Sequence, residues 1–231
     1  MQRLKSSPTL PKTSAPYPSL YQPYLEKMSR TGEPILIICP SKKMSGTVRS
    51  AEAAALDFPN ADIRIIDTNT IGSGLGSIVR QAVAWQKAGL SADQIEQNIK
   101  EMSARNRTYF LVDTLEYLHK GGRIGAAQAL VGSMLQMKPI LCLKDGQVAA
   151  HSTERTRKKA MAKFLDLILA ECPKSQAACV TIQHGGVPEQ AETLAADLKA
   201  RLGVKDIPIY YLPPAVMVHG GPGVLGVSFF V

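Results

Sequence analysis

The sequence predicts an α/β protein of two domains, an N-terminal parallel sheet flanked by helices and a C-terminal mixed or antiparallel sheet with helices. Three observations carry this. In the first half, short isoleucine-rich runs alternate with stretches of helical period, the order of a parallel sheet buried under helices. After residue 107 the pattern changes, and two β-prone runs meet at Asp145-Gly146, a type I′ hairpin signal. The 231 residues are 45% hydrophobic and 20% charged, enough for a sizeable core in one large domain or two small ones. The predicted division falls between residues 1–107 and 108–231.

Each element follows from local pattern. Residues 1–18 are rich in Ser, Thr and Pro and read as an extended arm. Tyr21, Tyr24, Leu25 and Met28 recur at helical spacing, and Gly32 ends that helix. "EPILIIC" (33–39) and "ADIRIIDT" (61–68) are strands. Between them, Ala51, Ala54, Ala55 and Phe58 share one helical face. "NTIGSGLGS" reads as a glycine-rich loop before a helix to about Lys87, and Ser91 caps the next helix, with Ile95, Ile99 and Met102 inward. "TYFLVDT" is a strand and "GAAQALVGSMLQM" (125–137) a buried helix of small and apolar residues. The hairpin "KPILCLKDGQVAAHS" follows. Next come an amphipathic helix burying Met161, Phe164, Leu165 and Ile168, the strand "AACVTIQH", and a helix with Leu194, Ala195, Leu198 and Leu202 in register. "DIPIYYLPP" and "GVLGVSFFV" are the last strands.

Composition excludes several classes. The formal charge of +8 fits a solvated basic surface, an acidic ligand, a membrane surface or nucleic acid. Nucleic acid is set aside, because the basic residues concentrate at 155–163 without interleaved aromatics. Cys39, Cys142, Cys172 and Cys179 lack C-x-x-C spacing and read as free thiols, and the four histidines show no metal-ligand spacing. No serine sits in a nucleophile elbow. The N-terminus lacks the apolar core of a secretory signal, and no apolar run approaches the roughly 18 residues of a spanning helix, so a cytoplasmic location is expected.

Three segments are candidate sites. In "KKMSGTVRS", Ser45 and Thr47 flank Gly46 where a strand-following loop enters a helix. Two readings fit: hydroxyls and helix-terminal N–H groups that bind an anion, or an N-cap with a turn glycine. The glycines of "DTNTIGSGLGS" fall at 72, 74 and 76, which is not the dinucleotide spacing, and suggest close packing instead. In "HGGPGVLGV", His219 stands among glycines before the last strand, placed either to donate to an anion or to face solvent.

These stretches together resemble the DegV family. The central block "VDTLEYLHKGGRIGAAQALVGSMLQMKPILCLKDGQV" (112–148) follows that family's most distinctive segment. "KKMSGT" (42–47) matches its S-G-T loop, "TSAP" (13–16) its T-S-x-P segment, and "HGGPGVLGVSFF" (219–230) its terminal stretch. The resemblance runs in order over about residues 13–231. It implies a two-domain protein that holds one long-chain fatty acid as ligand, needs no cofactor or metal, and is no enzyme itself. In bacteria some members present the lipid to a partner fatty-acid kinase. Carried over by motif, Thr13, Ser45 and His219 bind the carboxylate, Gly46 and Thr47 belong to the same loop, and Arg123 serves the head group or the partner. Leu130, Val131, Met134, Leu135 and Met137 would wall the acyl tail. A basic exterior would aid transient contact with a membrane surface. Family members usually begin with a further strand and an acidic segment ahead of T-S-x-P, and Ala15 stands where glutamine is common. The reading therefore expects a shortened N-terminal sheet whose edge invites a homodimer. A small enzyme acting on an anionic substrate at these loops, or a truncated non-binding paralogue, is the alternative.

Overall fold

The computed structural model describes residue 4 and residues 9–132 and 137–231. The chain forms two compact units. The larger runs from Arg105 to Val231 and takes in Thr13 and Gly72–Gly74. The smaller comprises Ser14–Ile71 and Leu75–Ala104. The mixed α/β class is as the sequence predicts.

In the smaller unit, the strands β1 (Ile35–Cys39) and β2 (Ile63–Asp67) pair in parallel, Ile35 opposite Ile63 and Cys39 opposite Asp67. The helices are α1 (Gln22–Ser29), α2 (Thr47–Ala55), α3 (Ser73–Lys87) and α4 (Ala92–Arg105). Leu25 of α1, Ile35 of β1 and Ala54 of α2 form one cluster, with Ile37, Phe58 and Ile63 against it. Ser91 caps α4 reciprocally: its Oγ accepts from the Gln94 N–H at 3.3 Å, and Gln94 Oε1 accepts from the Ser91 N–H at 2.9 Å.

The larger unit is built on six strands: β3 (Asn106–Leu111), β4 (Lys138–Lys144), β5 (Gln147–Glu154), β6 (Thr181–His184), β7 (Ile209–Tyr211) and β8 (Leu225–Phe230). Their order is β5-β4-β3-β8-β6-β7, antiparallel except for β6 and β7. Asp145 and Gly146 take φ of 50° and 76°, as a type I′ turn requires. Helices α6 (Arg157–Glu171) and α7 (Pro188–Leu202) cover one face. There Phe164, Ile168, Leu198 and Leu202 pack on Leu111, Ile182, Val227 and Phe229. The opposite face mixes apolar side chains such as Leu141 and Phe230 with buried polar ones. Thr108 Oγ1 and Ser228 Oγ lie 2.9 Å apart, and Gln183 Oε1 accepts from the Ser73 N–H at 3.0 Å. Two short helices, α5 (Glu116–Lys120) and α8 (Pro214–Gly220), complete the unit.

Three expectations are corrected. The glycine-rich stretch is not a loop, because α3 starts at Ser73 and holds Gly74 and Gly76. The Gln183 carboxamide fixes that start, and glycines cost least in a first turn whose N–H groups lack helical partners anyway. The predicted buried helix over 125–137 is, in its first part, a 3₁₀ turn over Gly125–Leu130 with only Ala127 buried. Alanines and a glutamine give that segment no apolar stripe wide enough to anchor an α-helix. His219 lies in the last turn of α8 rather than in a loop.

Phe164 is fully buried at the centre of the larger core. Its truncation to alanine is expected to cost about 3–5 kcal/mol, read as a lower midpoint in urea denaturation, whereas Phe164→Leu is expected to cost well under half of that. Equal losses for the two variants would show that burial of the ring is not what holds this layer.

Candidate functional site

Leu111 at the end of β3 sits opposite Leu225 at the start of β8. The chain leaving β3 and the chain entering β8 therefore emerge at the same end of the sheet, where α5 packs against α8. This is why two motifs a hundred residues apart share one place. Gly121 ends α5, and its missing side chain leaves the space that the His219 ring fills. A Cβ there would collide with Nδ1 of His219 and with the Tyr117 carbonyl. The fit is reciprocal, since a Cβ on Gly221, at φ 78°, would run into the Tyr117 ring.

His219 has two different neighbourhoods. Its Nε2 lies 2.7 Å from Thr13 Oγ1. Its Nδ1 is buried and has no hydrogen-bond partner among the described residues. An N–H at Nδ1 would be a buried donor without an acceptor, a costly arrangement. A lone pair there can rest against the glycine Cα–H, a weak but favourable contact. The geometry thus favours the tautomer with its proton on Nε2, donating to Thr13. Thr13 Oγ1 then accepts from His219, and its own O–H is free to donate outward. Burial, and secondarily the positive charge of Arg123, lowers the His219 pKa, so the ring is neutral at neutral pH.

Arg123 is held by the same glycine. Its Nη1 donates to the Gly121 carbonyl at 2.8 Å, and its backbone N–H donates to the Leu118 carbonyl at 2.9 Å. Thr13, His219 and Arg123 thus come together in the larger unit. Gly121 and Tyr117, which build the seat for the ring, were not among the sequence candidates. The signal was the first Gly of the Gly121-Gly122 pair, placed where a helix ends.

Ser45, Gly46 and Thr47 come together in the smaller unit. Ser45 Oγ and Thr47 Oγ1 lie 2.7 Å apart, and Ser45 Oγ accepts from the Thr47 N–H at 3.3 Å. Gly46 is the N-cap of α2 and offers no side-chain cap, so the two flanking hydroxyls cluster at the helix entrance. The Ala15 methyl packs against Gly46, and Ser50 Oγ donates to the Pro16 carbonyl.

Of the expected acyl-chain walls, Leu130 and Met137 are half-buried and Val131 is 38% exposed, while Met134 and Leu135 lie outside the described residues. Cys39 and Cys172 are buried free thiols, each pushed up to about 11 by burial. Among the described residues, no group of three or more His, Cys, Asp or Glu could hold a metal ion, and no helix is long and apolar enough to cross a membrane.

Known proteins share this architecture. A family model described as "Uncharacterised protein, DegV family" matches residues 1–231. A DegV domain-containing protein of Halalkalibacterium halodurans is 31% identical over 231 residues, all of this chain and 82% of its own length. The solved structure of a fatty-acid-binding DegV family protein from Thermus thermophilus superposes with a TM-score of 0.90 at 30% identity, covering 99% of this chain and 82% of that one. The fatty-acid-binding DegV family protein of Streptococcus agalactiae gives 0.89 at 25% identity, covering 99% and 81%. Matched by the family model from end to end, and by such a relative along its whole length, this chain belongs to the DegV family.

Proposed function

We propose that this chain binds one long-chain fatty acid and presents its carboxyl group to a partner kinase, performing no chemistry itself. The observation that carries the binding proposal is the Thr13–His219 pair seated on Gly121, with Arg123 beside it. It supplies a hydroxyl with a proton to donate, a neutral ring that orients it, and one guanidinium, a suitable set for a single carboxylate. The similar proteins of Thermus thermophilus and Streptococcus agalactiae, both fatty-acid-binding, support the choice of ligand. Kinase presentation rests on the motif resemblance alone.

The energetics suit such a ligand. Each buried CH₂ contributes roughly 0.8 kcal/mol, so a sixteen-carbon tail supplies about 10 kcal/mol before the costs of ordering. The head group then needs direction more than strength. A neutral imidazole and a hydroxyl provide it without the desolvation that a second buried charge would demand. Ser45 and Thr47 are assigned as further hydroxyl donors to the carboxyl group, and Leu130 and Met137 as walls of the tail.

Native mass spectrometry of purified protein is expected to show one bound acyl chain, or uptake of one added oleate; a chain that takes up none sinks the proposal. His219→Ala and Ser45→Ala are each expected to weaken oleate binding about tenfold or more, on the 1.5–3 kcal/mol of a hydrogen bond to a charged group. Unchanged affinity removes the residue concerned from the site.

The pH dependence has a definite sign. Because the folded chain holds His219 below its usual pKa, the stability it contributes is full above about 6.5, the unfolded value, and is lost as pH falls toward the depressed folded value. The imidazolium would place an N–H at the unpartnered Nδ1, so binding through the neutral ring takes up no proton. Oleate affinity, corrected for the ligand's own ionisation, is expected to stay nearly flat as pH falls from about 8 to about 7. A rise over that range that disappears in His219→Gln would show that the ring meets the carboxylate as the imidazolium instead.

Gly121→Ala places a methyl where the ring sits, at a backbone conformation that alanine tolerates. It is expected to weaken oleate binding and to shift the His219 imidazole ¹⁵N resonances. Resonances like those of wild type would contradict the seat described for the ring.

A further inference from the structure

Arg157 stands where its own helix has no use for it. It is the first residue of α6, a position where the helix dipole disfavours a cation. Thr156 already caps that helix, its Oγ1 accepting from the Lys159 N–H at 3.2 Å. The Arg157 side chain is also taken largely out of water, with 30% of it exposed. Burial lowers its pKa, against the opposite pull of Asp113. Two costs at one residue call for a compensating contact.

The compensation lies at the end of the sheet. Nη1 donates to the Val112 carbonyl at 3.5 Å and Nη2 to the Gly223 carbonyl at 3.4 Å. Nη1 also lies 3.5 Å from Asp113 Oδ1. Val112 leaves β3 and Gly223 precedes β8, just past the last paired rung, Leu111 with Leu225. The fork of one guanidinium thus spans the two chains where their ladder ends, which a point-like ammonium cannot do. Each contact is long, so the set of three counts rather than any one of them. The Gly223 peptide is fixed from its other side as well, its N–H donating to the Gly185 carbonyl at 2.8 Å. At Gly223, φ is 81°, and a Cβ would collide with the Asp113 carboxylate. Asp113 therefore packs on Gly223 while it pairs with Arg157.

Short connections carry this cluster to the seat of the ring. Only residues 113–115 separate Val112 from α5, and only 221 and 222 separate α8 from Gly223. A change in the spacing of Val112 and Gly223 must be taken up where α5 meets α8, at the contacts of His219 with Gly121 and of Tyr117 with Gly221. We infer that Arg157, backed by Asp113, is a positioning residue for the head-group site: its guanidinium clips the chain leaving β3 to the chain entering β8 and so sets the spacing of α5 and α8 that seats His219. It acts through the backbone and needs no contact with the ligand. The seating of the ring follows from geometry alone, whereas any effect on ligand rests on the proposal of fatty-acid binding.

The ¹⁵N resonances of the His219 imidazole in ligand-free protein, read beside oleate affinity, test this. Arg157→Lys keeps the charge and loses the fork. It is expected to shift the His219 resonances and to weaken oleate binding about fivefold or more, with an unchanged circular dichroism spectrum. Asp113→Asn keeps both carbonyl contacts and is expected to shift the same resonances in the same direction by less. In the double variant, Asp113→Asn is expected to add little to Arg157→Lys, because the carboxylate acts through the guanidinium. Lys158→Gln removes the neighbouring cation of the same turn and is expected to leave both readings as in wild type. Wild-type resonances in a folded Arg157→Lys, or failing that in Asp113→Asn, overturn the inference. So do shifted resonances with unchanged oleate affinity, and so do equal shifts in Lys158→Gln, which would assign the effect to helix charge. A wild-type chain that takes up no oleate ends the fatty-acid reading, while the ligand-free resonances still decide for or against the clip.

Discussion

The antiparallel register of β3 against β8 is the constraint on which the candidate site depends. With Leu111 opposite Leu225, the chain has no choice about where residues 112–123 and 213–224 emerge. The rest is local fitting at that end of the sheet. α5 must end early enough to turn, and Gly121 ends it. The same residue presents its carbonyl to Arg123 and its bare α-carbon to His219. One small residue therefore sets two side chains at once, and a β-carbon there would disturb both. The greasy face of β3 and β8 anchors this arrangement: Leu111, Val227 and Phe229 are almost wholly buried under α6 and α7. The site inherits its rigidity from a core with which it shares strands but no side chains.

The electrostatics follow from that seat. A histidine pressed onto a glycine and away from water resists protonation, and a neighbouring guanidinium adds to the resistance. Without Arg123 the ring would be closer to the midpoint of its titration at neutral pH. With Arg123 it holds one tautomer, and the unpartnered Nδ1 decides which. Thr13 is then a donor by consequence. Its hydroxyl has one proton, and a partner that already donates to its oxygen leaves that proton for something else.

Much of the fold was legible because its signals are local. Ser91 with Gln94 reads as a cap from spacing alone, Asp145-Gly146 dictates its turn, and Phe164 and Ile168 follow helical period. The failures share a cause. Gly74 and Gly76 look like a loop, but a carboxamide more than a hundred residues away fixes the helix start. Residues 125–130 look helical by composition, yet they lack the apolar stripe that would hold an α-helix to the core. For the site, the hydroxyls and the histidine stood out as residue types near glycines. What they meet did not, because the contact of His219 with Gly121 is made by strand register and leaves no periodic trace. The polar residues Thr108, Ser228 and Gln183 were equally silent. They alternate with apolar neighbours and so read as a solvated sheet face, whereas that face is buried and hydrogen-bonded.

The distribution of charge argues against reading the basic excess as a head-group device. Residues 14–104 hold nine Lys and Arg against nine Asp and Glu, and within 105–231 everything outside 138–163 is balanced at eight against eight. The segment 138–163 holds seven against two, and residues 1–13 supply the rest of the excess with three against none. The longer segment is the β4–β5 hairpin and the first half of α6, at the β5 edge of the sheet. The candidate site uses one of the balanced cations, Arg123. Arg157, Lys158 and Lys159 occupy the first turn of α6, where the helix dipole disfavours positive charge; that turn holds no acidic residue, and among the described residues Arg157 alone of the three is paired, with Asp113 at 3.5 Å. Their placement costs local stability, so helix propensity does not explain it. Arg157 nonetheless reaches the end of the sheet where the candidate site lies, donating to the Val112 and Gly223 carbonyls, so of this basic segment one guanidinium is tied to the same chain ends that carry Arg123 and His219.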